Sequence, residues 1–508
     1  MVSTLSPVVL AAVIAAYFLL LIAISYFTGR NASNSQFFLA GRQSPWLLVA
    51  IGMVGASLSG VSFISIPGLV GAGKANTAFS YLQMVLGYLL GYVFIAQVLL
   101  PLYYRLQLTS IYSYLEKRFG PVAYRTGASF FLLSRSVGAA FRLYLVALVL
   151  DGFVLGPLGI PFMATVAVTI VLIWVYTFRG GINTIVWTDT VQTVAMLSAM
   201  LLTVGAVLST LDMGLSDMWT KVKSMGYGQV FFFEEGWKDP NNFFKQFISG
   251  ALITIVMTGL DQDMMQKNLS CKTLEESRRN MYTFSGLLLV SNVLILFLGA
   301  VLWVFALEVG LTIPEQTDNL YPTIALQNLS PFIDLVFLLG LIAAAYSSAD
   351  SALTALTTSF CVDFLGFESR EQTEEQEKRT RFQVHIGFSI LLFLIVVVFQ
   401  LINDRAVINA LFIAAGYTYG PLLGLFTFGL FTPLQVRDRW VWLIGILAPV
   451  LSFIIDTYAP RILGGFEFGF LILALNGLLT FLGLLALSYR EYEAVADPLD
   501  ALPEEEYH

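Results

Sequence analysis

The chain contains 508 residues, of which 57% are hydrophobic and only 12% are charged. A soluble globular protein carries roughly 25% charged residues, so this composition excludes an ordinary water-soluble enzyme. The net charge is -7 and no basic block resembles a nucleic-acid-binding arm, which excludes nucleic acid as a partner. Two cysteines, Cys271 and Cys361, provide neither a disulfide framework nor a cysteine-rich metal site.

Apolar segments of about twenty residues recur along the chain, and a helix of this length crosses ~30 Å of hydrocarbon. They predict an all-α polytopic membrane protein with about thirteen transmembrane helices. In chain order, the predicted spans are 7–28, 44–70, 77–101, 123–150, 161–178, 183–210, 243–265, 281–307, 332–362, 383–402, 406–432, 440–457 and 468–489. We expect one membrane domain over residues 1–490 with no obligate protein partner, followed by an acidic tail at 491–508.

Lysine and arginine residues are unevenly divided between the two sets of loops that these spans define. About two thirds of the 27 basic residues fall in loops and helix ends on one side, such as 29–43, 102–122 and 266–280. Positively charged loops stay in the cytoplasm. The sequence therefore predicts a protein of the plasma or inner membrane, with its N-terminus outside and its C-terminus in the cytoplasm.

Two predicted spans are interrupted by small or polar residues. Span 44–70 contains GASLSG from Gly55 to Gly60, and span 243–265 ends in TGLDQD from Thr258 to Asp263. Paired discontinuous helices in corresponding places indicate a transporter's site near the middle of the membrane. For GASLSG taken alone, the alternative is a face of small residues that packs against a neighbouring helix.

The span 332–362 carries a polar face. Ala344, Ser347, Ser348 and Ser351 share one side of a helix by their spacing. Hydroxyls, together with carbonyls from an unwound helix, suit a hard monovalent cation such as Na+. Asp350 lies in the same segment, and a carboxylate inside the membrane is functional by default.

Other charged residues also lie within or at the ends of predicted spans. Asp189 follows Trp187 and Thr188, with Gln192 three residues later, and it is either a functional carboxylate or a helix cap. Arg135 and Arg142 are seven residues apart and suit recognition of a carboxylate; alternatively they pair with Asp189 or Asp350, or reach toward the cytoplasm. Asp261 and Asp263 are expected to act in structure and gating, through nearby basic residues.

Five motifs in order carry a family resemblance. They are GGxxxxxWTD from Gly180 with its later glutamine, GxDQxxxQ from Gly259, the Ala-x-x-Ser-Ser face, TDNLYP at 317–322 and GPLLGLFTFGLF at 420–431. Over residues 7–432 the chain resembles the sodium:solute symporter family. The resemblance implies a leucine-transporter-type fold: two inverted five-helix repeats at 44–210 and 243–432, one leading helix at 7–28 and two trailing helices at 440–489.

The resemblance also implies positions for the ions and the solute. The principal sodium site would use the carbonyl oxygens of Gly55, Leu58 and Ala344 and the hydroxyls of Ser347 and Ser348. A possible second cation site would use Asp189, Asp350 and Ser351, although Asp350 stands where relatives have serine and can instead carry a proton or pair with an arginine. The candidate substrate-binding residues are Ser57, Ser59, Ser62, Gln83, Thr254 and Met257, joined by Arg135 and Arg142, with Tyr417 or Tyr419 as a further candidate.

The predicted function is sodium-coupled import of a small organic solute by alternating access. The arginines favour an anionic or zwitterionic solute such as a carboxylate, an amino acid or a sialic acid. The alternatives are a sodium-coupled sugar or polyol symporter and a proton-coupled carrier that uses Asp350. We expect no enzyme activity and no cofactor beyond Na+ as the coupling ion, because the P-loop-like segment Gly68 to Ala75 lacks the hydroxyl that holds Mg2+ and no strand precedes it.

Overall fold

The computed structural model describes residues 6–29, 33–73, 75–178, 180–234, 236–367, 373–402 and 407–489. The α-helices in these ranges are α1 Pro7–Gly29, α2 Asn34–Leu39, α3 Trp46–Leu69, α4 Tyr81–Phe94, α5 Leu100–Arg105, α6 Ser113–Arg118, α7 Pro121–Leu150, α8 Phe162–Thr177, α9 Ile182–Thr210, α10 Leu215–Ser224, α11 Phe243–Thr254, α12 Gln262–Leu269, α13 Leu274–Glu308, α14 Leu320–Gln327, α15 Pro331–Ser359, α16 Glu374–Ile402, α17 Val407–Phe431, α18 Val441–Ile462 and α19 Ile472–Ala486. Two short strands, β1 Gln435–Val436 and β2 Ser488–Tyr489, pair antiparallel. The predicted acidic tail at 491–508 lies outside the described residues.

Every predicted span coincides with a helix or with consecutive helices. Within the described ranges, 11 helices are long and apolar enough to cross a membrane, or 12 when the bent pair α11–α12 is one span. The predicted span 161–178 corresponds to α8, which has only 16 residues and is about 24 Å long. The all-α polytopic fold is therefore confirmed, and the count of thirteen depends on whether this shorter helix crosses the membrane.

Both predicted interruptions are present. In α3 the helical path breaks at Ser59, whose φ of 38° lies outside the right-handed region. The helix α11 continues through a wider π turn, Ile255–Gly259, and the chain then bends by 64° before α12 begins. Asp261 caps α12, because its side chain accepts a hydrogen bond from the Asp263 N–H at 2.9 Å.

The helices α3 and α15 lie at the centre of the molecule and pack against α9 and α7. Their close approach depends on small residues: a Cβ placed on Gly60 would lie 2.9 Å from the Val146 side chain and 3.4 Å from the Ala345 Cα. The outer helices α1, α16 and α18 expose large apolar side chains such as Phe27, Leu401 and Phe453, as expected for surfaces in contact with lipid. The polar candidate residues are therefore enclosed by the inner helices.

Contacts between loops are consistent with the predicted sides of the membrane. At the end predicted to be cytoplasmic, β1 pairs with β2, Ser44 bridges to Cys271, and Arg381 donates to Asn34. At the opposite end, Asn76 and Gln246 are hydrogen-bonded at 3.2 Å. Loops that are predicted to lie on the same side of the membrane are therefore in contact with each other.

Candidate functional site

The serine face of α15 lies directly against the broken part of α3. The Ser348 hydroxyl donates to the Ala56 carbonyl at 3.0 Å, and the Ser347 hydroxyl donates to the Ala344 carbonyl at 3.2 Å. Both serines are fully buried, and a Cβ on Gly55 would lie 3.4 Å from Ser347 Oγ. The structure therefore brings Gly55, Ala344, Ser347 and Ser348 together.

The backbone of α3 is suited to cation binding at this point. In an unbroken helix, the carbonyls of residues 55–58 accept bonds from the N–H groups of residues 59–62, and the break at Ser59 disturbs this ladder. Leu58 lies in the same turn. Thr193, which the sequence analysis did not single out, accepts a bond from the Gly55 N–H at 3.0 Å and donates to the Asp189 carbonyl at 2.8 Å.

The residues of the possible second cation site form a buried charged cluster. Asp350 accepts bonds from the Tyr176 hydroxyl at 2.8 Å and from the Ser351 N–H at 2.5 Å. Asp189 pairs with the Lys267 ammonium at 2.7 Å, and both side chains are almost completely buried. Asp189 Oδ1 and Ser351 Oγ make no hydrogen bond in the described structure.

Lys267 is a partner that the sequence analysis missed. It was assigned to the cytoplasmic end of an interrupted helix, but the bend before α12 turns its side chain into the core. The alternative in which Arg135 or Arg142 pairs with Asp189 or Asp350 is wrong in the described structure, because the groups named above bind these carboxylates.

The two arginines of α7 have different environments. Arg135 forms an ion pair with Asp263 and lies 3.9 Å from Asp261, which also accepts a bond from the Tyr419 hydroxyl. Arg142 is 6% exposed, and its Nε and Nη1 atoms make no hydrogen bond in the described structure. Arg135 is thus tied to the broken helix, whereas Arg142 has donors that remain available.

A central cavity of about 80 Å3 lies beside these groups. Seven of the eight predicted substrate-binding residues line it: Ser57, Ser59, Ser62, Arg135, Arg142, Thr254 and Met257. Gln83 does not line it. Its amide nitrogen donates to the Ser80 and Asn241 carbonyls, and its amide oxygen accepts a bond from the Phe232 N–H. Gln83 therefore fixes the loop that precedes α11.

The two further tyrosine candidates, Tyr417 and Tyr419, lie in different environments. Tyr419 lines a small recess next to Arg135 and Arg142, whereas Tyr417 donates to Asp456 at 3.0 Å and connects α17 to α18. The cavity also contains residues that sequence reasoning missed: Tyr81, Tyr88, Tyr92, Thr258 and Asn292. The three tyrosines of α4 are spaced by seven and four residues, a pattern that places them on one helix face.

A larger cavity of about 690 Å3 lies at the end of the molecule that is predicted to face outward. It is bordered by the end of α3, the start of α11 and the segments 315–319 and 467–470. Among the described lining residues, Glu315, Asp318 and Glu467 outnumber Lys245, so this part of the vestibule is acidic. A cleft of this charge raises the local concentration of cations.

Comparison with known proteins identifies the family. The model of the sodium:solute symporter family matches residues 37–435. This chain belongs to the sodium:solute symporter family. The sodium/sialic acid symporter of Aliivibrio fischeri is 25% identical over 420 residues, which cover 80% of this chain and 79% of that protein. The human sodium/iodide cotransporter is 24% identical, and the match covers 80% of this chain and 62% of that protein.

Solved structures agree on the fold. A Na+-coupled sialic acid symporter in a substrate-bound, outward-open state has a TM-score of 0.79 at 20% identity, with 94% of this chain and 96% of that chain covered. A nucleobase-cation-symport-1 family transporter in a closed conformation has a TM-score of 0.57 at 14% identity, with 90% and 94% covered. The predicted fold class and the prediction of a sodium-coupled symporter, rather than an enzyme, are confirmed.

Proposed function

We propose that this symporter imports a small organic anion or zwitterion and binds its carboxylate through Arg142. The observation that carries this proposal is the buried guanidinium in the central cavity. Its Nε and Nη1 atoms have no hydrogen-bond acceptor among the described residues. A buried cation without an acceptor is costly, and a planar carboxylate matches the geometry of a guanidinium. The relatives named for sialic acid transport support the same class of solute.

The proposed principal sodium site consists of the carbonyls of Gly55, Leu58 and Ala344 and the hydroxyls of Ser347 and Ser348. Ser57, Ser59 and Leu58 of the same broken turn line the cavity. Na+ that orders this turn would therefore also order a wall of the substrate site. Each ligand would then tighten the binding of the other by the same factor.

Membrane voltage would drive accumulation when the transported complex carries a net positive charge, as for one Na+ with a zwitterion or two Na+ with a monovalent anion. Each net positive charge that enters down a potential of ~100 mV, inside negative, contributes about 2.3 kcal/mol. This energy corresponds to roughly fifty-fold accumulation of the coupled solute before any sodium concentration gradient is added.

The proposed second cation site is the cluster of Asp189, Asp350 and Ser351. Lys267 forms an ion pair with Asp189, whereas Asp350 accepts hydrogen bonds from Tyr176 and Ser351, so one negative charge of the cluster is not paired with a cation among the described residues when both acids are ionised. The unpartnered Asp189 Oδ1 and Ser351 Oγ offer ligands for a cation. A proton on Asp350 is the alternative way to neutralise this charge.

The proposed architecture keeps the repeats 44–210 and 243–432, because a broken helix begins each of them. The proposed orientation places the N-terminus outside. The acidic 690 Å3 vestibule at the predicted outer end supports an outward-facing conformation that attracts Na+.

The test measures the thermal stability of the purified protein with carboxylates, amino acids, sialic acid, sugars and iodide, each in NaCl and in KCl. A solute at one hundred times its dissociation constant stabilises the fold by about 2.7 kcal/mol. We expect stabilisation by a carboxylate in NaCl only. An equal effect in both salts would contradict sodium coupling and favour a proton on Asp350.

A variant identifies the carboxylate contact. Arg142→Met should abolish the carboxylate-dependent stabilisation, because the anion loses its buried partner. The control is Arg125→Met, which changes an exposed arginine on the same helix and should have no effect. Retention of full carboxylate affinity in Arg142→Met would overturn the proposed role of this residue.

A further inference from the structure

Asn292 of α13 lines the same cavity as Arg142 and is 1% exposed. Its Nδ2 donates to the Leu288 carbonyl at 2.8 Å, one helical turn earlier, whereas Oδ1 has no hydrogen-bond partner among the described residues. The orientation of the amide follows from this bond, because a carbonyl oxygen accepts hydrogen bonds and cannot donate them. The atom left without a partner is therefore an acceptor.

The other polar groups of the cavity do not supply the missing donor. The hydroxyls of Tyr81 and Tyr88 bind each other at 2.9 Å. Among the lining side chains, all of which the structure describes, the buried polar atoms without a partner are Arg135 Nε, Arg142 Nε and Nη1, and Asn292 Oδ1. Among its fully buried polar atoms, the cavity thus presents unpaired donors from α7 and one unpaired acceptor from α13.

The size of the cavity limits the solute that complements these groups. A water molecule takes up about 30 Å3 of the liquid, so a cavity of about 80 Å3 holds only a few groups of that size. A small solute therefore complements the cavity in this conformation.

We propose that Asn292 selects small carboxylates that also carry a hydroxyl or amino donor, which binds its Oδ1 while the carboxylate binds Arg142. This inference rests on the proposed function and specifies the substrate class of the same site. A site built to form a hydrogen bond rejects an analogue that lacks the group, because a buried polar atom then stays unpaired. Simple fatty acids and halide ions leave Asn292 unpaired and bind less well.

The experiment measures sodium-dependent binding of size-matched acids to the full-length protein by calorimetry. The probes are propionate, its 2-hydroxy and 3-hydroxy derivatives, alanine and β-alanine, with sialic acid as a large solute. We expect at least one hydroxy or amino acid to bind about 10-fold or more tightly than propionate. Equal binding of propionate and all of its derivatives would overturn the inference, as would tighter binding of sialic acid than of every three-carbon acid.

Variants test the role of Asn292 itself. Asn292→Leu should bring the affinities of the substituted acids down to that of propionate, while sodium-dependent propionate binding persists and reports a folded protein. Asn292→Ala provides a smaller replacement if leucine prevents folding. The control is Ser291→Ala, because Ser291 is buried on the same helix, donates to the Leu287 carbonyl and does not line the cavity. If both Asn292 variants still bind the substituted acids more tightly than propionate, the proposed role of Asn292 in selectivity is overturned.

The outcomes distinguish this inference from the proposed function. Loss of all acid binding in Arg142→Met, together with equal wild-type affinities across the panel, would retain the carboxylate site and reject selection by Asn292. Unchanged acid binding in Arg142→Met would reject the proposed function, whatever the selectivity of the panel.

Discussion

The ion pair between Lys267 and Asp189 shows how strongly single residues are constrained in this core. The two residues are 78 positions apart in sequence, and their charged atoms lie 2.7 Å apart in a region without solvent exposure. Removing one partner of a buried pair leaves an uncompensated charge, which is more costly than removing both. The cluster around Asp350 increases this cost because it adds a second carboxylate.

We therefore expect Lys267→Met to destabilise the protein by about 3–5 kcal/mol in KCl, measured as unfolding of the purified protein. Part of this loss should be recovered in NaCl, because Na+ can neutralise the unpaired Asp189. The double variant Asp189→Asn with Lys267→Met should be more stable than Lys267→Met alone. The control Lys272→Met changes an exposed lysine nearby. A stability of Lys267→Met equal to that of the control would contradict the structural role of the pair.

At the scale of elements, the contact between α3 and α9 determines how the broken helix is held. The Gly55 N–H donates to Thr193, and a Cβ on Gly55 would overlap the Thr193 hydroxyl. The same Cβ would also approach Ser347 of α15. A glycine at this position therefore allows three helices to meet at the proposed sodium site.

Gly55→Ala should separate these helices and cost about 1–3 kcal/mol through overpacking. We also expect the stabilisation by Na+ to decrease, since the carbonyl and hydroxyl ligands move apart. The measurement is the unfolding temperature over a NaCl titration. Gly205→Ala on α9 is the matched control, because nothing lies within 4 Å of the added carbon and alanine favours a helix. A wild-type response to Na+ in Gly55→Ala would count against this position of the ion.

At the scale of the whole molecule, the broken helix α11–α12 and its partners lie between the central cavity and the end that is predicted to be cytoplasmic. Arg135 binds Asp263 at the start of α12, and Tyr112 donates to the Leu260 carbonyl at 3.0 Å. Alternating access requires these contacts to separate when the cavity opens inward. We therefore predict that the proposed outward-facing state is held in part by an ion pair at the bend of a discontinuous helix.

We expect Asp263→Asn to shift the population toward the inward-facing state. A single cysteine placed at Ser57 in a cysteine-free background should then react several-fold faster with a membrane-impermeant reagent from the cytoplasmic side, and Na+ should slow this reaction. Glu275→Gln is the control because it removes an exposed ion pair with Arg279. An unchanged reaction rate would show that the Arg135–Asp263 pair does not hold the gate.

The sequence by itself determined the positions of the helices, the two interruptions and the family. These features are local: a block of about twenty apolar residues must be helical in hydrocarbon, and small or polar residues such as those from Gly55 to Gly60 mark a break within it. Seven of the eight predicted substrate residues line the cavity, and most of these predictions came from the family resemblance. Gln83 does not line it, because its side chain binds a distant loop.

The tertiary structure alone decided which polar groups are satisfied and which are left for a ligand. The sequence presented Arg135 and Arg142 as equivalent residues on one helix face. The bend before α12 brings Asp263 to Arg135, whereas two nitrogen atoms of Arg142 have no hydrogen-bond partner in the described part of the chain. The same bend directs Lys267 to Asp189. Pairings over such separations are fixed by how helices pack, because desolvated charges must find partners in three dimensions, and local sequence does not encode these distances.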